Sequence, residues 1–269
     1  MNKIYKTLKA VGLIISKPYL LNNVLNDEEV KEKYVVSKYG FKDGLPTVDL
    51  LDLFPNFEDT ISPYSYLDGS SLPTDMSLLR GLAKKIKCQD YMEIGTWRGE
   101  SVAVVSELVP RCIAINLPDE DLRKLNCSED YIAMHRFFSK DKVNIKHLQA
   151  NSLTFDFSTL NQKFDLIFID GDHHSESIAS DTANAFKLLK DENSVIVWHD
   201  YGIGTETVRW NVLAGILEGC PADKRNKLYH ASNTICAFFT NREIPSSIVK
   251  PNQAPNKYFS VNLKAHKMG

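Results

Sequence analysis

The segment Tyr91-Met92-Glu93-Ile94-Gly95-Thr96-Trp97-Arg98-Gly99-Glu100-Ser101 sets an acidic residue and two glycines, as E-x-G-x-x-x-G, where an apolar strand should pass into a helix. Gly95 lets the chain turn tightly with no Cβ in the way. Gly99 lets a ligand or a neighbouring backbone approach, and a helix beginning near it directs free N–H groups into a crevice. Glu93, at the strand end, is placed to reach a polar ligand group. The dinucleotide pattern G-x-G-x-x-G is not formed here, because Thr96-Trp97 occupies the place where a pyrophosphate needs bare backbone. The spacing therefore suits a nucleoside cofactor without a pyrophosphate; a tight turn with close helix packing is the purely structural alternative.

The chain around this turn alternates between strand-like and helix-like runs. Strands are expected at 90–94, 111–116, 144–150, 164–170 and 194–199, with helices at 99–109, 128–139 and 175–190 between them. Two further strands, 227–231 and 234–240, are separated only by Ser232-Asn233, too short for a crossover helix, so they must form an antiparallel hairpin preceded by a helix at 205–217. The expected fold is α/β: a Rossmann-like, doubly wound, seven-stranded sheet, mostly parallel, ending in an antiparallel hairpin.

Residues 1–73 read as a helical and irregular N-terminal extension serving as lid, oligomerisation element or substrate-recognition element. Residues 74–241 read as the cofactor-binding domain and 242–269 as a C-terminal extension. A helix capped by Asn26 should run to Tyr39 with Gly40 just past its end; the stretch to about Pro73 looks like an irregular lid; Thr74 should cap a helix over 75–87. At the start, Ile4, Leu8, Val11 and Ile15 recur at helical spacing with Lys3, Lys6 and Lys9 off that stripe. This amphipathic helix should pack on the body or on a partner subunit, giving a homodimer or larger assembly, with contact of residues 1–16 with an anionic membrane surface as the alternative. The apolar run is too short to span a bilayer, and no small-x-small cleavage site precedes Lys17-Pro18.

A net charge of −2 over 269 residues, with no concentrated basic face in the core, argues against a nucleic-acid partner and favours a small molecule or a glycan. The five cysteines, Cys88, Cys112, Cys127, Cys220 and Cys236, are scattered and lack C-x-x-C spacing, so neither a disulfide framework nor a zinc knuckle is indicated; a reducing cytoplasm is expected.

Right-handed crossovers bring ligands to the carboxyl ends of parallel strands. That nominates Asn116-Leu117 after the second strand, Asn151-Ser152 after the third, Asp170-Gly171-Asp172-His173-His174 after the fourth and His199-Asp200-Tyr201 after the fifth. Buried parallel strands should be apolar, so this many ionisable groups at adjacent ends is costly unless they meet a ligand or one another. Asp170, His199 and Asp200 could converge on one ion. Carboxylates suit Mg²⁺ or Ca²⁺, and an imidazole shifts preference toward Mn²⁺, Fe²⁺ or Zn²⁺.

With the glycine turn, the hairpin and the I-D-G-D-H and H-D-Y strand ends, residues 74–240 resemble the class I S-adenosylmethionine-dependent methyltransferases. The likeness is to the bacterial small-molecule and glycan O-methyltransferases related to macrocin O-methyltransferase, and to the same-fold cephalosporin hydroxylase. The resemblance implies S-adenosylmethionine bound by Glu93, Gly95, Thr96, Gly99, Ser101, Asn116, Leu117, Asn151, Ser152, Asp170 and Gly171. Asn116 stands where most of the family has an acid for the ribose, and Asn151-Ser152 match the position that touches the adenine amino group. It also implies a divalent metal on Asp170 and Asp200, with His199 replacing an oxygen ligand. His173, three residues past Asp170, is the first candidate base, His199 the second, and Asp200 completes the catalytic set. The implied reaction is O-methylation of a hydroxyl on a small molecule or glycan precursor. A metal-dependent hydroxylase on the same fold and a non-catalytic cofactor-binding subunit remain the alternatives.

Overall fold

The computed structural model describes residues 2–17, 28–250 and 252–268. Among them an eight-stranded sheet runs in the order β1-β9-β10-β6-β5-β2-β3-β4. Its centre comprises β2 (Asp90–Ile94), β3 (Arg111–Asn116), β4 (Ile145–Gln149), β5 (Leu166–Ile169) and β6 (Val195–Trp198), all mutually parallel. β9 (Leu228–Ala231) and β10 (Ala237–Phe239) form the expected antiparallel hairpin, and β10 pairs antiparallel with β6.

The expectation of seven strands falls one short. β1 (Thr47–Val48) lies inside the stretch read as an irregular lid and adds to the sheet edge by pairing in parallel with β9, Thr47 opposite His230 and Val48 opposite Ala231. Two residues are too few for a periodic signal, and it is the backbone pairing with β9 that makes the segment a strand, with both side chains buried. The C-terminal tail is tied to the same edge, where Thr47 and Ser247 exchange both backbone hydrogen bonds.

Side chains alternate between two cores along each strand. On one face Met92, Ile94, Ile115, Ile167, Ile169 and Trp198 pack against α2 (Glu28–Tyr39), α8 (Ser175–Leu188) and α9 (Trp210–Gly219). On the other, Tyr91, Ala114, Phe168 and Val197 pack against α4 (Pro73–Ile86) and α5 (Glu100–Ser106). Cys88, Cys112, Cys220 and Cys236 are buried small core residues and all five thiols are free.

Several boundaries move for identifiable reasons. Leu72, not Thr74, is the N-cap of α4, because Pro73 takes the first helical position where its missing N–H costs nothing. The expected helix over 128–139 is shortened to α7 (Glu129–Met134), capped by Ser128, and a further short helix that was not expected, α6 (Asp119–Lys124), precedes it. After Met134 the chain leaves the helix to hydrogen-bond the glycine turn, Arg136 N donating to Trp97 O at 2.8 Å and Phe138 N to Arg98 O at 2.9 Å. The helix expected over 205–217 starts at Trp210, since Gly202–Gly204 (β7) and Thr207–Val208 (β8) pair as a small antiparallel ribbon. Asn26, the expected cap of α2, lies outside the described residues, and Gly40 past its end has φ +81° as required of a C-cap. α3 (Leu50–Leu53) is a single turn capped by Asp49.

α1 (Lys3–Ser16) forms as expected but does not pack on the body: none of its residues is buried. No helix among the described residues is long and apolar enough to cross a membrane.

Candidate active site

The glycine turn is shaped by packing at both glycines. Gly95 has φ +90°, and a Cβ there would stand 2.1 Å from the carbonyl oxygen of Asp170, so the ends of β2 and β5 touch only because the side chain is missing. Gly99 has φ +79°, and its Cβ would meet Ser139 Oγ at 2.1 Å. What approaches Gly99 is therefore the returning 136–139 segment. Trp97 stacks on Tyr131 at 4.1 Å between centroids and meets His135 edge-on at 4.7 Å, which fastens that segment over the turn.

Glu93 is fully buried and faces three hydroxyls: Tyr91 Oη donates at 2.8 Å, Thr96 Oγ1 at 2.9 Å and Ser101 Oγ at 3.0 Å. Glu93, Thr96 and Ser101, nominated separately, thus form one internal network that holds the turn. Burial pushes the Glu93 carboxyl up to about 7, against the pull of the hydroxyl hydrogen bonds.

At the end of β3 Asn116 is buried, its side chain 3.1 Å from His135 Nδ1. Beyond β4, Asn151 Oδ1 accepts from Leu153 N at 3.0 Å and so fixes the turn that presents Ser152. Facing Ser152 from α8 is Asp181, a residue not singled out from the sequence, only 1% exposed and with Oδ1 lacking any partner. Its Oδ2 lies 3.8 Å from where a Cβ on Gly171 would stand. Burial drives Asp181 up to about 6, although the Ser152 hydroxyl bonds to it. An orphaned buried acceptor at the crest between β4 and β5 awaits a donor. It fits the exocyclic amine of a nucleoside held between Asn116, Ser152 and Gly171.

The ends of β5 and β6 carry a different chemistry. His199 Nδ1 lies 3.0 Å from Asp170 Oδ1 and 3.2 Å from Asp200 Oδ2, while its Nε2 lies 3.2 Å from Asp75 Oδ2. Burial alone would lower the His199 pKa; the three carboxylates, Asp170 foremost, overcome this and hold it well above the ordinary imidazole range. Asp200 adopts a left-handed backbone (φ +56°), uncommon for a non-glycine residue and frequent at functional sites. Burial would raise its carboxyl, but the His199 hydrogen bond and charge, with His173 and Arg209, bring it down to about 2. His173 Nε2 is 3.3 Å from Asp200 Oδ2 and Arg209 is 3.3 Å from Oδ1; the His173 side chain is 49% exposed.

Asp170, His199, Asp200 and His173, nominated from two separate strand ends, are thus brought together. Asp75 and Arg209 were missed. Asp75 sits in the first turn of α4, where an acid has an ordinary helix-dipole role, and only the tertiary fold carries it under β6. It is completely buried and also accepts from Leu72 N at 2.7 Å and Ile235 N at 3.0 Å, so its position is fixed from three sides.

Ligand atoms of Asp170, His199 and Asp200 lie within 4.8 Å of one another, and Asp75 holds the second ring nitrogen of His199 as carboxylates do behind metal-bound imidazoles. This set fits a divalent cation. The Asp75, His199 and Cys236 set is equally close but deeper, with Asp75 and Cys236 completely buried.

Residues 92–201 match the family model described as a methyltransferase domain. Among solved structures, the chain is similar to an O-methyltransferase from Bacillus cereus in complex with S-adenosylhomocysteine, at 15% identity over 76% of this chain and 83% of that one, with TM-score 0.40. It is also similar to a methyltransferase from Podospora anserina with bound S-adenosylhomocysteine (17%, 68% and 84%, 0.48) and to an N-methyltransferase from Bradyrhizobium japonicum (15%, 62% and 92%, 0.40). No curated protein sequence matches it.

Proposed function

We propose that this chain, whose residues 92–201 match a methyltransferase domain, is a class I S-adenosylmethionine-dependent methyltransferase that methylates a hydroxyl oxygen of a small molecule or glycan precursor. One observation carries this: the exposed His173 imidazole held 3.3 Å from Asp200, itself anchored by His199 and Arg209. A sugar or phenol hydroxyl must lose a proton as it attacks, and an imidazole beside a permanently charged carboxylate can take it. With Nε2–H donating to Asp200, His173 Nδ1 receives the proton and Asp200 stabilises the resulting imidazolium. His199 is less suited to that task, because both its nitrogens already face carboxylates in a buried setting.

The cofactor, when bound, supplies the electrophilic methyl of its sulfonium. Gly95, Asn116, Leu117, Asn151, Ser152, Gly171 and Asp181 bind and orient the nucleoside, with Glu93, Thr96 and Ser101 shaping the turn beneath it. Asp170 joins the two regions, its backbone against Gly95 and its side chain on His199. A divalent ion on Asp170, His199 and Asp200, when bound, would add Lewis acidity at the acceptor oxygen. Buried free thiols support a reducing, cytoplasmic setting.

The test supplies S-adenosylmethionine with a labelled methyl group and a panel of phenolic and glycosidic alcohols, amines and carboxylates. Label in a base-stable ether, with S-adenosylhomocysteine released in equal amount, is the expected outcome. Transfer to an amine or to a base-labile ester excludes the oxygen-acceptor reading. A chelator that stops transfer, reversed by Mg²⁺ or Mn²⁺, assigns the metal-assisted route; indifference to chelator assigns proton removal to His173 alone.

A further inference from the structure

α1 is the one described helix that carries an apolar stripe and buries none of it. Ile4, Leu8, Val11 and Ile15 project from one side and are 67, 67, 49 and 75% exposed. The opposite side bears Lys3, Lys6 and Lys9, Lys17 follows at the C-cap, and the helix contains no acidic residue. A helix of 14 residues that fully buries none of its side chains is marginal in water, so α1 needs an apolar phase to stabilise it. An interfacial layer satisfies both faces at once: acyl chains take the stripe, and anionic headgroups take the lysines.

We propose that α1 docks this enzyme on an anionic lipid surface, lying in the plane of the interface. The inference is independent of the methyl acceptor and of the base at the active site. It places the cofactor domain next to the bilayer without spanning it, in keeping with the lack of a membrane-crossing helix among the described residues.

The full chain is sedimented with vesicles of phosphatidylcholine alone and of phosphatidylcholine mixed with phosphatidylglycerol, at low and high salt. Expected is binding to the mixed vesicles, weak binding to the neutral ones, and a loss on the order of ten-fold or more as salt screens the lysines. The charge variant K3E/K6E/K9E and the stripe variant L8E/V11E should each lose vesicle binding. Neither touches the core, so unchanged affinity for S-adenosylhomocysteine shows that each is folded. No binding by the wild type, or equal binding to both vesicle types, overturns the proposal. It is also overturned if light scattering without lipid finds a dimer that L8E/V11E dissociates, because the stripe is then covered by a second copy of the chain.

Discussion

Carboxylates wholly or partly buried at the two halves of the strand-end crest shift in opposite directions. On the nucleoside side, Glu93 is pushed up to about 7 and Asp181 to about 6. On the acceptor side, Asp200 is pulled down to about 2. Burial raises all three, so burial does not decide between them. What differs is the company: Glu93 faces hydroxyls and Asp181 a single serine, whereas Asp200 faces two imidazoles and a guanidinium. A hydroxyl offers a dipole; an imidazolium or guanidinium offers a full charge that offsets the lost hydration. One half thus offers hydrogen-bond acceptors and the other a concentration of charge, which the proposed function assigns to cofactor recognition and to proton transfer.

If the halves are separable, single substitutions should separate them, and Gly95 is where they should fail to separate. A side chain there needs a left-handed backbone and collides with the Asp170 carbonyl at the end of β5. Gly95→Val should therefore abolish cofactor binding and methyl transfer together. Calorimetric titration with S-adenosylhomocysteine on a variant with native circular dichroism checks this; retained affinity would mean that the two strand ends need not touch.

Asp200→Asn should act on one half alone. It removes the charge that orients His173 and leaves the nucleoside contacts alone, so kcat should fall by roughly 10²- to 10⁴-fold. The dissociation constant for S-adenosylhomocysteine should stay within about two-fold. Full activity in this variant would reduce the cluster to a structural role and sink the proton-transfer account.

Asp181→Ala should act on the other half, and more mildly. Losing one buried acceptor for the adenine amine should weaken S-adenosylhomocysteine binding by about ten-fold. Binding of the inosine analogue, which lacks that amine, should hardly change. Equal losses for both ligands would remove Asp181 from the adenine site without touching the reading of the rest.

The sequence made the central sheet legible because β5 and β6 read as unbroken apolar runs between turn residues, and β2 and β3 as largely apolar runs interrupted only by Asp90, Glu93, Arg111 and Asn116. The two-residue strand Thr47–Val48 left no periodicity to find, and its sheet position depends on a partner about 180 residues away. The same distinction holds at the site. Asp170, His173, His199 and Asp200 were visible because ionisable groups at strand ends break an apolar pattern. Asp75 and Asp181 sit on amphipathic helices, where an acid is ordinary; only burial from every side marks them, and burial is a tertiary fact.

The smallest effect tests whether the nucleoside half is uncharged. Glu93 binds a proton in the folded chain up to about 7, whereas an unfolded glutamate releases it near 4.3. Between those values the folded state holds more protons than the unfolded one, so stability must fall as pH rises through that window and level off above the folded pKa. The slope should approach roughly 1 kcal/mol per pH unit from this residue, with Asp181 contributing the same sign over the lower part of the range. Glu93→Gln keeps acceptors for Thr96 and Ser101 and a donor for Tyr91, yet cannot ionise. Urea unfolding at a series of pH values from about 5 to 7 should therefore show a flatter slope in the variant than in the wild type. Parallel slopes would mean that Glu93 is already ionised beneath the glycine turn, and the contrast between a neutral and a charged half would fail at its most buried residue.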